Sequence, residues 1–592
     1  MCGIGGYFLK NGSLPVRNCL DVFKKSLGHR GPDGYGQEKN SVSGFVQTRL
    51  AIVDIEKGNQ PFVYKSKKNN ENIMLVANGE IYNHSELRKN ISNQYNFKSN
   101  SDCEVILPLW IEHKEKLVSQ LRGMFAIAIY DAKSNIGFLA RDPFGIKPLY
   151  YAEHKSGIYF SSEPKALIEA KIIERNVSFF NYALLLEEQY VKGEDFIFKN
   201  IKRLNPGETL IIKNGRIVKK NIHSSLQNTN LKVNNPFDLQ LKKNLENTVL
   251  AHQMSDVPFG IFYSGGVDST AILQIMSKFS SNPINAYLVN FDQKDNLEEL
   301  KIAENITKQL KAELVLYTYT KNNFNEDTGS AILACDDPIA DYAILPTTFL
   351  AEKASKDVKV VLTGEGGDEF FAGYGRYRYA IKFYNNKSPK QIGPAIKSKI
   401  LKPSFHREIF EYKNSFEFPS YLQRILFKSE TIQKFQFYDI KNWLPNNLLI
   451  KLDRCLMRFG LEGRTPFVDK LFSNFGFHLP LNQKIRYNSG KYILKNFLQK
   501  SLPSAFPFRK KHGFTVPVGK WIQEDSIKLY QLLERQHIVK EIINNSNLKE
   551  IIENSSKNSL IAWRVLFIAL WHRIHIDDVN PHQPIKDILN SN

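Results

Sequence analysis

"FGIFYSGGVDST", residues 259–270, decides how this chain is read. Phe259 to Tyr263 is an apolar run of strand length, Ser264-Gly265-Gly266 interrupts it, and a helical apolar pattern follows Asp268 and Ser269. Glycines let backbone N–H groups turn toward an anion, and the helix that starts there adds its positive end. Ser264 and Ser269 supply hydroxyl donors, and Asp268 is a ligand for Mg²⁺ held against phosphates. The Walker lysine is missing, so this is a phosphate cradle of another kind. The plainer alternative is a strand-to-helix turn that only needs glycine.

Around this phrase, strands and helices take turns. A helical stretch at 237–254 precedes it. "INAYLVNF" (284–291), "ELVLYTY" (313–319) and "VKVVLTG" (358–364) follow as strands, with helical patterns such as 297–311 between them. That alternation predicts a parallel sheet with crossover helices, and ligands bind at the carboxyl ends of such strands. Beyond it the chain reads as mainly helical. Residues 2–223 have a different rhythm. "IMLVA", "MFAIAIYD", "IGFLA" and "GIYFSS" are short strands among Gly/Pro turns, which predicts sheet-rich α+β. "SSLQNTNLKVNNP" (224–236) is polar and unpatterned and is the expected linker. Two domains are expected, 2–223 and 237–592.

Composition narrows the class. A chain of 592 residues, 42% hydrophobic and 24% charged, is a soluble globular protein with room for several domains. Its five cysteines form no C-x-x-C pair and are too sparse for a disulfide scaffold, which fits a reducing compartment. The N-terminus lacks the basic and apolar regions of a signal peptide. The apolar stretch "SLIAWRVLFIALWHRIHI" (559–576) contains Arg564 and His572, so a buried helix is expected rather than a membrane span. A cytoplasmic location is expected. The net charge of +20 raises nucleic-acid binding. The excess is spread along the chain as Lys beside Asn with no basic-aromatic stripe, so a solvated surface is expected and no specific nucleic-acid partner.

Two further phrases carry chemistry. "VVLTGEGGDEFFAGY" (360–374) repeats the order strand, glycine-rich turn, acid. Asp368 there offers a second carboxylate for Mg²⁺, and Glu365 is placed to work on an acceptor. "MCGIGGYF" (1–8) sets a thiol directly behind Met1, and Ile4, Tyr7 and Phe8 read as a buried strand that holds Cys2 in place.

SGGVDS resembles the pyrophosphate loop of the ATP pyrophosphatases, which implies cleavage of ATP between its α and β phosphates. "MCGIGG", "HRGPDG" (29–34), "RLAIVD" (49–54), "NGEIYN" (78–83) and "SDCE" (101–104) together resemble the class II glutamine amidotransferases. Their N-terminal nucleophile fold stacks two sheets between helices. The two resemblances in this order, with "LPNNLLIKLDRCLMRFGLEGRTPFVDKLF" (444–472), "SGKYILKNFL" (489–498) and "FRKKHGFTVPVGKWI" (508–522), identify the chain as similar to the glutamine-hydrolysing asparagine synthetase family. The last three phrases read as helical by their apolar spacing. The resemblance implies an N-terminal nucleophile (αββα) glutaminase domain and an α/β synthetase domain with a largely helical C-terminal part.

The resemblance also implies roles. Loss of Met1 leaves Cys2 as nucleophile, its own α-amine serving as base. Asn78 and Gly79, at a turn after "IMLVA", hold the oxyanion. Arg49 clamps the glutamine carboxylate, with Leu50, Ala51, Ile52 and Val53 lining that site and Asp102 and Glu80 meeting the ammonium and amide. Tyr263, Ser264, Gly265, Gly266, Asp268, Ser269, Val289, Thr363 and Gly364 hold ATP, and Asp268 and Asp368 hold Mg²⁺. Glu365 works on the acceptor, and Lys511, with Lys510 beside it, offsets charge on pyrophosphate.

The implied reaction makes asparagine, AMP and pyrophosphate from aspartate, ATP and glutamine through a β-aspartyl adenylate. The implied partners are small molecules, without a membrane; a homodimer is compatible with the sequence, which does not fix oligomeric state. The chain departs from the family's usual pattern at Ala51, at "RTPFVD" (464–469) and at Tyr342, which replaces a smaller residue near the expected acceptor pocket. An amidotransferase acting on a sugar acid or a peptide carboxylate remains the alternative. An RNA-adenylating enzyme would carry a recognisable RNA-binding module, which the sequence does not show, and a catalytically silent sensor would have an eroded catalytic set, which is present here.

Overall fold

The computed structural model describes residues 2–591 except 67–70, 92–94, 225, 227–235, 293–296, 384–392, 415–430 and 511–514. The expected linker 224–236 therefore lies largely outside the described residues. Strands β1 (Cys2–Leu9), β2 (Gly34–Lys39), β3 (Ser43–Arg49), β4 (Phe62–Ser66), β5 (Glu71–Ile81) and β6 (Gly123–Asp131) come first. They are followed by β7 (Ile136–Arg141), β8 (Tyr150–His154), β9 (Gly157–Ser161), β10 (Ile201–Arg203), β11 (Glu208–Lys213) and β12 (Arg216–Ile222). They form two six-stranded sheets, ordered β10-β8-β9-β1-β3-β2 and β12-β11-β7-β6-β5-β4.

Period-two alternation builds the layers. Ile4 and Phe8 of β1 point between the sheets, against Phe45, Met74, Val76 and Ala126. Tyr7 and Leu9 point the other way, onto Phe23 and Leu27 of the Cys19–Leu27 helix. On the far face of the second sheet, Trp110 of the Ile106–His113 helix packs on Phe138 with ring centroids 5.0 Å apart. The result is helix, sheet, sheet, helix, the layering that the resemblance to the class II glutamine amidotransferases implies.

The second half is built on five parallel strands, β13 (Phe259–Phe262), β14 (Asn285–Phe291), β15 (Glu313–Tyr319), β16 (Val360–Leu362) and β17 (Glu462–Arg464). Their order is β15-β14-β13-β16-β17. β13 to β16 are the strands expected from sequence; β17 is not. The stretch 444–472 is not one helical run but a π-helical turn (Leu444–Leu449), a helix (Ile450–Met457), β17, a 3-10 turn and a second helix (Lys470–His478). Glu462 and Arg464 hide the strand because they are charged yet fully buried, where they bond each other. The Ser559–His575 helix is a core helix. Arg564 donates to the carbonyls of Leu186 at 2.7 Å and Glu187 at 2.9 Å, which gives the buried guanidinium hydrogen-bond partners in place of water. Among the described residues no helix is long and apolar enough to cross a membrane.

Buried ion pairs join the two halves. Arg30 meets Asp453, Arg203 meets Asp337, Arg464 meets Glu80, and Arg122 meets Asp469.

Candidate active sites and family

Cys2 is the first residue of β1 and sits opposite Arg49 of β3. Its backbone nitrogen donates to Asn78 Oδ1 at 3.0 Å, and its carbonyl accepts from Arg30 Nε at 3.3 Å. Burial pushes the thiol pKa up, while the nearby amino terminus, the Leu50 backbone N–H and Arg49 pull it back. Asn78 and Gly79 do not lie at a turn, as the sequence leads one to expect. Both continue β5, paired with Ala126 and Phe125 of β6. Gly79 has φ +155°, and a Cβ there would lie 2.0 Å from the Met124 carbonyl, so only glycine lets the strand pass this close. The Asn78 side chain is fully buried, and its Nδ2 has no hydrogen-bond partner. Such an orphan donor is costly unless something is meant to meet it.

Two buried carboxylates lie beyond it. Asp102 accepts from the Ile81 nitrogen at 2.6 Å, and burial raises its pKa. Glu80 touches Arg464 at 3.3 Å through one oxygen, and its other oxygen is unpartnered. Burial, then the like charge of Asp102, pushes Glu80 well above the usual carboxylate range. Among the described residues Asp102 forms no ion pair, and Glu80 forms one, to Arg464. Arg49 is differently engaged than a free clamp: Nη1 donates to Ile55 O and Asn59 Oδ1, and Nη2 to Asp54 O and Val53 O. Its terminal nitrogens organise the loop after β3, where Leu50, Ala51 and Ile52 are buried and Ala51 N donates to Asp33 at 2.8 Å.

The second site lies at the carboxyl ends of β13, β14 and β16. Gly265, with φ +65°, turns the chain from β13 into the Val267–Phe279 helix. Ser269 Oγ donates to the Gly266 carbonyl at 3.2 Å and accepts from Ser264 N at 3.3 Å, so the loop is closed on itself. The β16 loop lies directly against it. A Cβ on Gly364 would come 3.0 Å from Asp268 Cβ, and one on Gly367 would come 2.7 Å from its carboxylate, so these glycines make the room that Asp268 occupies. A cavity of about 350 Å³ opens here, lined by Tyr263, Ser264, Asp268, Ser269, Val289, Thr363, Gly364, Glu365 and Asp368. Sequence motifs separated by a hundred residues thus share one wall.

Lys491 joins the two aspartates, 2.5 Å from Asp268 Oδ2 and 2.8 Å from Asp368 Oδ1. Burial opposes its charge, but the two carboxylates outweigh it and keep the ammonium protonated. Lys491 lies in "SGKYILKNFL" but is not among the residues expected at the site from sequence; Lys511, which is, lies outside the described residues. Lys451, from the Ile450–Met457 helix, is a second lysine that sequence reasoning passed over; it lines the cavity and bonds Asp341 at 3.0 Å. Glu365 is pushed up by burial, with Lys451 counteracting.

Residues 240–573 match the family model described as asparagine synthase, and residues 1–223 that of the glutamine amidotransferase domain. The chain belongs to the asparagine synthase family. Among curated relatives of this family member, asparagine synthetase [glutamine-hydrolyzing] 1 of Bacillus subtilis (strain 168) is 29% identical, with 100% of each chain covered. Asparagine synthetase B [glutamine-hydrolyzing] of Escherichia coli (strain K12) is 27% identical over 89% of this chain and 84% of its own. A probable asparagine synthetase [glutamine-hydrolyzing] of Dictyostelium discoideum is 28% identical over 88% and 86%. The family fixes the general chemistry as glutamine-dependent and ATP-dependent ligation.

Proposed function

We propose that this chain makes asparagine from aspartate, with ammonia drawn from glutamine and activation by ATP. The observation that carries the reading is the meeting of Asp268 and Asp368 on Lys491 beside Glu365, at the switch-point edge of a parallel sheet. We assign the glutaminase to residues 2–223, a linker to 224–236 and the synthetase to 237–592. A cytoplasmic setting suits five free, buried thiols.

In the first half-reaction Met1 is removed and the freed Cys2 amine, with a pKa of roughly 7.7–8.0, takes the thiol proton. The thiolate attacks the glutamine amide. Asn78 Nδ2 and the Gly79 N–H receive the oxyanion, and Asn78 Oδ1 keeps hold of the Cys2 nitrogen. Ammonia leaves, and water hydrolyses the glutamyl thioester to glutamate. The glutamine ammonium meets Asp102 and Glu80, of which only Glu80 already faces a cation among the described residues, Arg464. Its carboxylate meets the loop of Leu50–Val53 and must draw Arg49 from Asn59 or use Nε.

In the second, the aspartate β-carboxylate attacks the α-phosphorus of ATP and pyrophosphate departs, leaving a β-aspartyl adenylate. Ammonia attacks that carbonyl, Glu365 accepts the surplus proton, and AMP leaves. Ser264, Gly265, Gly266 and Ser269 cradle the phosphates, Tyr263, Val289, Thr363 and Gly364 line the nucleotide's side, and Lys511 joins Lys491 in offsetting charge. The donor set fits Mg²⁺, which takes one or two carboxylates together with substrate phosphates. Asp268 and Asp368 would hold it, and it would neutralise phosphate charge when bound.

Incubation with glutamine, Mg·ATP and aspartate is expected to yield AMP and asparagine in equal amounts. AMP formed with a sugar acid and none with aspartate would refute the substrate. Active protein still carrying Met1, seen by mass spectrometry, would refute the base.

A further inference from the structure

A second cavity, of about 940 Å³, opens between the two halves and shares no lining residue with the nucleotide site. One wall comes mainly from the Phe179–Glu188 helix and the loop at 191–200. The other comes from the Ser404–Asn414 and Thr431–Lys441 helices and the π-helical turn at Leu444–Leu449. Its body is aromatic. Phe180 meets Tyr412 edge to face with ring centroids 5.7 Å apart, and Phe196 and Phe198 lie in the wall 5.9 Å apart. The walls are braced from behind. Arg203 donates to the carbonyls of Val191 at 3.1 Å and Gly193 at 3.2 Å, and to Asn446 Oδ1 at 2.8 Å. Asn181 Nδ2 donates to the Phe196 carbonyl at 2.6 Å, and the Tyr412 hydroxyl to the Lys192 carbonyl at 2.8 Å. A cavity preformed in this way needs little reorganisation to take a ligand.

Charge in the cavity is uneven. Glu194 is answered by Lys220 at 2.6 Å and Lys202 at 3.6 Å, and the Lys192 ammonium lies over the Tyr412 ring at 4.8 Å. Asp195 and Lys199 are both exposed, at the rim. Lys441 is different. It ends its helix in the cavity wall, and among the described residues no carboxylate meets its amine. Asp439, on the same helix, is held by the Tyr377 hydroxyl at 2.6 Å and by Arg376 at 3.0 Å. Burial alone pulls the Lys441 pKa down to about 8, the mark of an ammonium without a counter-charge beside it. A cation left unanswered in an aromatic cavity is complementary to one anionic group on an apolar body. A single amine, with neither a glycine loop nor a guanidinium fork, suits a carboxylate better than a polyphosphate.

We propose that this cavity binds a small aromatic carboxylate, its ring system among Phe180, Phe196 and Tyr412 and its carboxylate on Lys441 Nζ. Such a ligand touches both halves of the chain and stabilises their union by mass action.

The test titrates 1-naphthaleneacetate and its uncharged analogue 1-naphthaleneacetamide into the intact wild-type protein, followed by calorimetry. Saturable binding of the carboxylate at one site is expected, with the amide at least about tenfold weaker, the worth of one charge-assisted hydrogen bond. Lys441→Met should weaken the carboxylate by the same factor and leave the amide within about twofold, circular dichroism checking that the variant is folded. No saturable binding overturns the inference, as does equal affinity for the two probes or an unchanged affinity for the carboxylate in folded Lys441→Met. If that variant does not fold, the wild type still decides. There 1-naphthaleneacetate should slow the acetylation of Lys441 by acetic anhydride, mapped by peptide mass spectrometry, and leave the exposed Lys549 reacting as before. No protection of Lys441 overturns the site.

Discussion

Arg30 and Asp453 are 423 residues apart in the chain and meet through two parallel hydrogen bonds, Nη1 to Oδ2 at 2.8 Å and Nη2 to Oδ1 at 3.0 Å. Both side chains are buried, and the same guanidinium reaches the Cys2 carbonyl through Nε. Removing one partner of such a pair strands a charge in the interior. Asp453→Ala is expected to lose about 3 kcal/mol of stability, the low end for buried pairs because Glu163 still faces Arg30. Chemical denaturation measures it. A loss under about 1 kcal/mol would show the pair to be as weak as a surface one.

The proposed thiol and adenylation steps predict separable losses. Cys2→Ala should abolish glutamine-dependent synthesis, while synthesis from ammonium salts stays within about twofold. Loss of both activities would mean that Cys2 holds the fold together instead of attacking substrate.

Asn78 Nδ2 is a buried donor with nothing to bond. Asn78→Ala should lower glutaminase kcat by about 10²–10³ with little change in KM, the pattern of a donor used only in the transition state. A steady-state glutaminase assay reads both parameters. A rise in KM alone would make Asn78 a ground-state contact.

Lys491 balances two carboxylates that would otherwise repel. Lys491→Met should cut AMP formation at least about 10²-fold and leave glutamine hydrolysis intact. Near-normal AMP release from the variant would leave Lys491 as a spacer between the aspartates.

His252 is buried, its Nδ1 2.8 Å from the Thr248 carbonyl and its ring against Tyr82. Burial lowers its pKa from 6.5 to about 4. The native state therefore refuses a proton that the unfolded chain accepts. The stability this gives is full above about pH 6.5 and is lost as pH falls through 4. Between pH 7 and 4 the wild type should lose about 3 kcal/mol more than His252→Gln. Parallel stability curves for the two proteins would rule the effect out.

Most of the architecture could be read from the sequence because apolar periodicity dictates it. The alternation in β1 and the strand-loop-helix order at 259–279 were both legible. What stayed hidden is polar. β17 is a strand of Glu462-Gly463-Arg464, whose burial depends on partners elsewhere in the chain, and no local pattern reveals that. Asn78-Gly79 has the composition of a hairpin turn, yet the strand runs on because β6 lies alongside it. The glycine loops at 264–269 and 363–368 were legible because their pattern is local, and the structure brings them to one cavity wall. The lysines were not legible. Which of several lysines reaches Asp268 depends on how distant helices pack, and in a chain with 80 Lys and Arg residues the type alone says little.

Four of the arginine-carboxylate pairs that bridge the halves bear on how a half could be exchanged. Arg30, Arg203, Arg122 and Glu80 each lean on a residue contributed from beyond position 336, so a half exchanged for one without the matching partners is expected to leave these charges unpaired. A working hybrid must carry the matching Asp453, Asp337, Asp469 and Arg464 positions along with the graft.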